Sequence, residues 1–161
     1  MKKTDTSGMN LIHADLKGVI PSLPGMLEYL RFWKECGFNG VVVEYDDRVP
    51  FRTWPGVWRR GYTASEQRKI VEECRTLGLE LIPLIQTIGH LEWLLKHKEY
   101  AYLREGDHVN QLCPLHGKSM PLLKQWIDEV IESHPGVRYI HLGADEAWHF
   151  GSCPECRKHE K

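Results

Sequence analysis

Four short apolar runs, each separated from the next by a stretch long enough to hold a helix, set what this chain can fold into. The runs are MNLIHADLKG, GVVVEYDD, LELIPLIQT and VRYIHLGADE. Between the first two lies PGMLEYLRFWKECG, which predicts a helix with Leu27, Leu30, Phe32 and Trp33 near one face and Gly37 as its stop. Thr63-Ala-Ser-Glu66 is a capping box that opens a second helix, running through Leu77 to Gly78. A short helix is predicted over Leu91 to His97. Ser119 caps another that has Pro121 in its first turn and ends near Ser133, before Pro135. The order is β-α-β-α-β-α-β, with crossovers long enough for parallel strands.

Two architectures accommodate that order: an open doubly wound sheet and part of a (β/α)8 barrel. The first turn, DLKGVIPSLPG, lacks the spacing of a dinucleotide fingerprint. Polar residues instead gather at the C-terminal end of every strand. Asp15 and Lys17 follow the first, Glu44, Tyr45, Asp46 and Asp47 the second, Gln86, Thr87 and His90 the third, and Asp145, Glu146, Trp148 and His149 the fourth. A barrel builds its active site on that face. Open sheets also use carboxyl ends, so the pattern favours the barrel by a modest margin. Residues 1–161 are treated as one unit, since no linker, low-complexity segment or fixed short repeat interrupts them.

The 21 basic and 22 acidic residues balance to a formal charge of −1, which gives no bulk reason to expect nucleic acid or an anionic membrane as a partner. Neither a signal peptide nor an apolar run of about 18 residues is visible. Of the five cysteines, Cys36 and Cys74 fall in helical patterns and read as small core residues. An odd count without an export signal predicts reduced thiols in a cytoplasmic setting.

The strongest chemical feature is HLGADEAWH, from His141 to His149. Adjacent strand residues point to opposite faces, but a chain turning at a strand end can bring both carboxylates of Asp145 and Glu146 into one pocket. Two carboxyls in one site separate each other's pKa values, so one serves as acid while the other stays charged. Alternatively, one acid caps the following helix and the other faces water. The motif's chemistry alone leaves both open. His141, inside the run, reads as a hydrogen-bonded barrel residue rather than a catalyst. Trp54, Trp58 and Tyr62 supply either a platform for a sugar ring or a cover for the barrel rim. Cys153-Pro-Glu-Cys156 has a spacing suited to zinc, with His149 and His159 flanking it. A structural zinc there would pin the loop after the fourth strand. An exposed free or redox-labile thiol pair is the alternative.

IHLGADE resembles the H-x-G-x-D-E signature of glycoside hydrolase family 20, the β-N-acetylhexosaminidases. LIHADLKG, VVVEYDD, LIPLIQTIGHLEWLLKH and HLGADEAWHFG together resemble its hexosaminidase D branch, in the same order and at similar spacing, from about Asn10 to Gly151. The resemblance implies the N-terminal half of a TIM barrel, with about four parallel strands, from the first strand to the loop after the fourth. It also implies a retaining, substrate-assisted hydrolysis of terminal β-linked N-acetylhexosamine that requires no cofactor. Glu146 would then protonate the leaving oxygen, and Asp145 would hold the acetamido N–H. His90 matches a histidine placed to support the acid, or else caps the following helix. Asp15 lies where many members carry a sugar-binding arginine, a departure that puts the usual hydroxyl contacts in doubt. Glu44 and Asp46 either face the same mouth or are solvated, and Trp148 joins the substrate-facing set. A half barrel would be incomplete alone, and its open strand edges favour self-association. The competing readings are a non-catalytic carbohydrate-binding fragment and a zinc-stabilised interaction domain.

Overall fold

The computed structural model describes residues 8–58 and 60–159. Strands β1 (Leu11–Asp15), β2 (Gly40–Glu44) and β3 (Glu80–Leu84) form a parallel sheet in the order β1-β2-β3. Asp15 stands in register with Glu44, and Glu44 with Leu84, so the carboxyl ends of the strands finish level.

Helix α1 (Leu23–Glu35) starts at Ser22, whose hydroxyl accepts from the Gly25 N–H at 3.4 Å. It buries Met26 and Leu30, one turn apart, against the sheet. Phe32 lies about 200° around the helix from Leu30 and is exposed, which corrects its assignment to the inner face. Cys36 is likewise exposed rather than a core residue, whereas Cys74 is buried as expected. Helix α2 (Ala64–Thr76) carries the anticipated capping box, with Glu66 accepting from the Thr63 N–H at 2.8 Å and Thr63 accepting from the Glu66 N–H at 3.2 Å. An Arg31–Glu73 ion pair at 2.7 Å joins the two helices.

Val41, Val43 and Tyr45, alternate residues of β2 and its extension, are fully buried in the core between sheet and helices. Each such apolar side chain contributes roughly 1.5–3 kcal/mol by leaving water. The loop after β2 adds Phe51 and Trp54, which pack edge-to-face on Trp126 of α4 (Ser119–Ser133). Glu129 of α4 fastens that loop, accepting from the backbone N–H of Arg52 at 2.6 Å and of Thr53 at 2.9 Å, and from the Thr53 hydroxyl at 2.8 Å. Trp54 and Tyr62 are buried in the core and offer no platform to a sugar. Trp58 is the one of the three that reaches solvent.

Three further elements depart from expectation. Ser119 is the first residue of α4 rather than its cap, and its hydroxyl donates to the Cys113 carbonyl at 2.6 Å. After the short α3 (Glu92–Leu95), a two-stranded antiparallel hairpin forms from β4 (Arg104–Glu105) and β5 (His108–Leu112). Its two-residue turn, Gly106-Asp107, has Gly106 at φ +59°, a conformation suited to glycine. The fourth apolar run joins the sheet through one parallel bridge, Leu84 to His141. There the Ile85 N–H donates to the His141 carbonyl at 3.0 Å, and the His141 N–H to the Pro83 carbonyl at 2.9 Å. Gly143, Ala144 and Glu146 then adopt φ values of +59°, +77° and +49°, which end extended pairing. A small helix, α5 (Pro154–Arg157), follows.

Candidate active site

Side chains on the far face of the sheet from the helices recur with period two: His13 and Asp15 on β1, Val42 and Glu44 on β2, Leu84 and Gln86 at the end of β3, and His141, Gly143 and Asp145 on the fourth segment. With Lys17 and His90 they line an open cavity of about 560 Å³ at the carboxyl ends of the strands. Gly143 is required there. A Cβ at this position would stand 2.2 Å from Gln86 Oε1, and its φ is in the left-handed region.

Glu44 is the hub of the cavity floor and is nearly inaccessible, so it is not a solvated acid. Its carboxylate contacts the Lys17 ammonium, accepts from Gln86 Nε2 at 2.9 Å and lies 3.0 Å from His13 Nε2. Lys17 also stands 3.6 Å from both Asp15 and Asp46. Burial alone would lower the Lys17 pKa, but the bond to Glu44 and the charges of Asp46 and Asp15 raise it, so the ammonium stays charged. Asp46, also buried, is pushed up to about 7 by burial, with Lys17 opposing and the neighbouring carboxylates adding to the rise. Asp15 lines the cavity. One of its oxygens accepts from the Lys17 N–H at 2.9 Å, a local turn that aims Lys17 at Glu44.

At the opposite rim His90 faces the acid pair. Its Nε2 lies 3.5 Å from Asp145 Oδ2 and 3.3 Å from Glu146 Oε2. Both carboxylates are accessible, at 60% and 61%. Neither caps a helix, and His90 does not cap α3, whose N-cap residue Leu91 makes no side-chain bond. The left-handed backbone at Glu146 turns its side chain back to the rim that Asp145 shares. Gly89 permits this approach, since a Cβ on it would meet the Asp145 carbonyl oxygen at 2.3 Å. Trp148 is 76% exposed and stands apart from the cavity lining.

The thiol pair belongs to a second cluster. Cys153 and Cys156 are buried beside Cys113 and Glu105, and ligand atoms of all four lie within 4.8 Å of one another. His149 and His159 are not members, which corrects their assignment as flanking ligands. His149 stacks on His108 with ring centroids 3.6 Å apart, and His159 is exposed beyond α5.

His13, Glu105 and Cys113 were not anticipated as site residues, and Gln86 was anticipated only as one of the polar residues at the end of the third strand. Period-two alignment with Asp15 and Glu44 was a usable signal for His13 and Gln86. Glu105 and Cys113 sit on the hairpin, for which Gly106-Asp107 was the mark.

Residues 44–161 match the family model described as glycosyl hydrolase family 20, catalytic domain. The chain is 38% identical over 146 residues to hexosaminidase D of Bos taurus, covering 89% of this chain and 42% of that protein. It is 37% identical over 153 residues to hexosaminidase D of Homo sapiens, covering 93% and 32%. It thus spans less than half the length of these curated relatives. In three dimensions it resembles the crystal structure of the β-N-acetylhexosaminidase from Bacteroides fragilis NCTC 9343, with a TM-score of 0.78 at 20% identity, covering 94% of this chain and 35% of that one. That likeness establishes an α/β fold matching part of a family barrel.

Proposed function

This chain belongs to glycosyl hydrolase family 20, and we propose that it forms the N-terminal half of a catalytic barrel that hydrolyses terminal β-linked N-acetylhexosamine. The single observation that carries the reading is the convergence of Asp145, Glu146 and His90 at the carboxyl end of the sheet. In the proposed reaction the substrate's own acetamido oxygen attacks the anomeric carbon, so no enzyme nucleophile is required. Glu146 gives its proton to the leaving oxygen and then takes one from water. Asp145 accepts from the acetamido N–H and offsets the positive charge that develops on the oxazolinium ring. His90, within reach of both carboxylates, orients them. Lys17, held by Glu44, is the cation at the mouth where the family arginine is absent, and with Asp15 it is assigned to the sugar hydroxyls.

Support for a half barrel comes from the period-two inner face and from β1, which is an edge of its sheet. The remaining strands, from the rest of a longer polypeptide or from self-association, would cover that edge and close the pocket over the two accessible acids. The proposed compartment is a reducing, cytoplasm-like one, in keeping with five free cysteines. Among the described residues no helix is long and apolar enough to cross a membrane.

The test is hydrolysis of nitrophenyl β-N-acetylgalactosaminide and β-N-acetylglucosaminide, with the chain assayed alone and joined to the C-terminal half of the bovine relative's barrel. Turnover is expected in the joined protein, and Glu146→Gln should lower it by roughly 10²–10⁴-fold. Near-normal turnover in that variant overturns the assignment. Saturable binding of N-acetylhexosamine that is lost in Asp145→Ala, with no turnover in either form, would select the carbohydrate-binding reading instead.

A further inference from the structure

Three thiols and a carboxylate, drawn from three separate segments, meet in a buried cluster outside the cavity that Asp145 lines. Glu105 comes from β4, Cys113 follows β5, and Cys153 and Cys156 bracket the first turn of α5. The Cys113 sulfur lies 3.3 Å from that of Cys153 and 3.5 Å from that of Cys156, while Cys156 Sγ lies 3.0 Å from Glu105 Oε2. We infer that these four residues bind one zinc ion, which clips the loop following Asp145 and Glu146 to the β4–β5 hairpin. The inference is independent of the hydrolase reading, because no step of that reaction passes through this cluster.

The geometry fits a tetrahedral ion. Zinc with Zn–S bonds of about 2.3 Å holds its sulfurs roughly 3.8 Å apart, so the thiols need to move outward by a few tenths of an ångström. Three sulfurs and one oxygen complete four-coordination with no open position, which makes the site structural rather than catalytic. Thiolate-rich donor sets select zinc over magnesium or calcium. The surroundings also suit ligation. Glu105 uses its other oxygen, Oε1, to accept the Cys153 N–H at 2.7 Å, which leaves Oε2 facing the sulfurs. The Cys156 N–H points at Cys153 Sγ at 3.4 Å, and Pro154 holds the first turn of the C-x-x-C loop. Ser119 fixes the Cys113 carbonyl from α4. A disulfide would use two of the three sulfurs and leave the third thiol and a buried carboxylate without a cation, an unfavourable arrangement.

The consequence for the fold is local. The Ser152 hydroxyl donates to the His149 carbonyl at 3.0 Å and to Glu105 at 3.3 Å, and the His149 N–H donates to Gln111 at 2.8 Å. The metal would lock this set and so hold the backbone that leaves Glu146.

The experiment is metal analysis of the full chain, purified without chelator and with zinc in the medium, followed by cobalt exchange. One equivalent of zinc is expected, as are the visible bands of tetrahedral, thiolate-ligated cobalt after exchange. Cys113→Ser and Glu105→Gln should each lower the metal content, while Cys36→Ser, at an exposed cysteine outside the cluster, should leave it at one equivalent. Removing zinc with a strong chelator should lower Tm and speed amide exchange in residues 104–113 and 146–157, and added zinc should reverse both. Zinc far below one equivalent, or a disulfide between any two of the three cysteines in protein prepared under reducing conditions, overturns the inference. So does cobalt bound without charge-transfer bands. These readouts use the unmodified chain, so a variant that fails to fold does not leave the question open.

Discussion

His134 should make this protein lose stability between pH 6.5 and pH 4. Its ring is buried behind the strand end that carries Glu44 and Asp46. The Nδ1–H donates to the Val130 carbonyl at 2.8 Å, which leaves Nε2 to accept the Tyr45 hydroxyl at 2.9 Å and a Gln67 amide N–H at 3.3 Å. A second ring proton would force the Tyr45 hydroxyl and the Gln67 amide to turn their donors away from Nε2, and the charge would sit in a dry site. Burial therefore lowers the pKa from 6.5 to about 4, against a smaller opposing effect of the Val130 carbonyl. The sign follows from linkage. Between those values the unfolded chain binds a proton that the folded chain refuses, so the stabilising contribution is full above pH 6.5 and is lost as pH falls toward 4. At about 1.4 kcal/mol per pH unit the displacement amounts to about 3 kcal/mol. The assay is urea unfolding at several pH values in this window, for the wild type and for His134→Gln, which keeps an amide donor and acceptor but does not titrate. The variant's absolute stability is immaterial. Its loss on acidification should be smaller than the wild type's by about 3 kcal/mol. Parallel pH profiles for the two proteins would refute the reasoning, since all other groups are common to both. The Tyr45–His134 bond also seats the strand between Glu44 and Asp46, so acidification should loosen the cavity floor before the rest of the sheet.

Two more outcomes follow from single contacts. Glu129→Gln turns an amide N–H toward the Arg52 and Thr53 donors and should cost roughly 2–3 kcal/mol, read as a lower urea midpoint at unchanged slope. Burial alone would raise the Glu129 pKa, but those donors lower it overall, so wild type and variant should converge as pH falls through the folded value. A constant gap down to acid pH would contradict this. Gly89→Ala forces the loop after β3 away from Asp145, and in the joined protein of the hydrolysis assay it should reduce turnover by about 10²-fold with little change in Tm. Normal kcat would show that this contact does not set the acid pair's position.

Much of the architecture is legible in the sequence. Apolar periodicity gave the alternation of the first three strands with their helices and the helix α4, though not the β4–β5 hairpin, and the Thr63–Glu66 box marked the start of α2 where it occurs. The sequence also located the polar strand ends and the adjacent acids Asp145 and Glu146. These features are local, written in neighbours three or four residues apart on a helix or two apart on a strand. Phe32 failed because a helical face is narrow, and an apolar residue about 200° around from the buried Leu30 points outward.

Tertiary structure decided the rest. Whether Glu44 is solvated or buried depends on Lys17, His13 and Gln86, which arrive from other strands. The partners of Cys153 and Cys156 are Glu105 and Cys113 across the hairpin, not the histidines nearest in sequence. The fourth run keeps one bridge because the left-handed residues beyond His141 turn the acids toward His90 instead of extending the ladder. The physical reason is common to all three. Hydrophobic periodicity records which face of an element leaves water, whereas ion pairs and metal sites need atoms placed within about 4 Å, a condition met only after separate elements have packed.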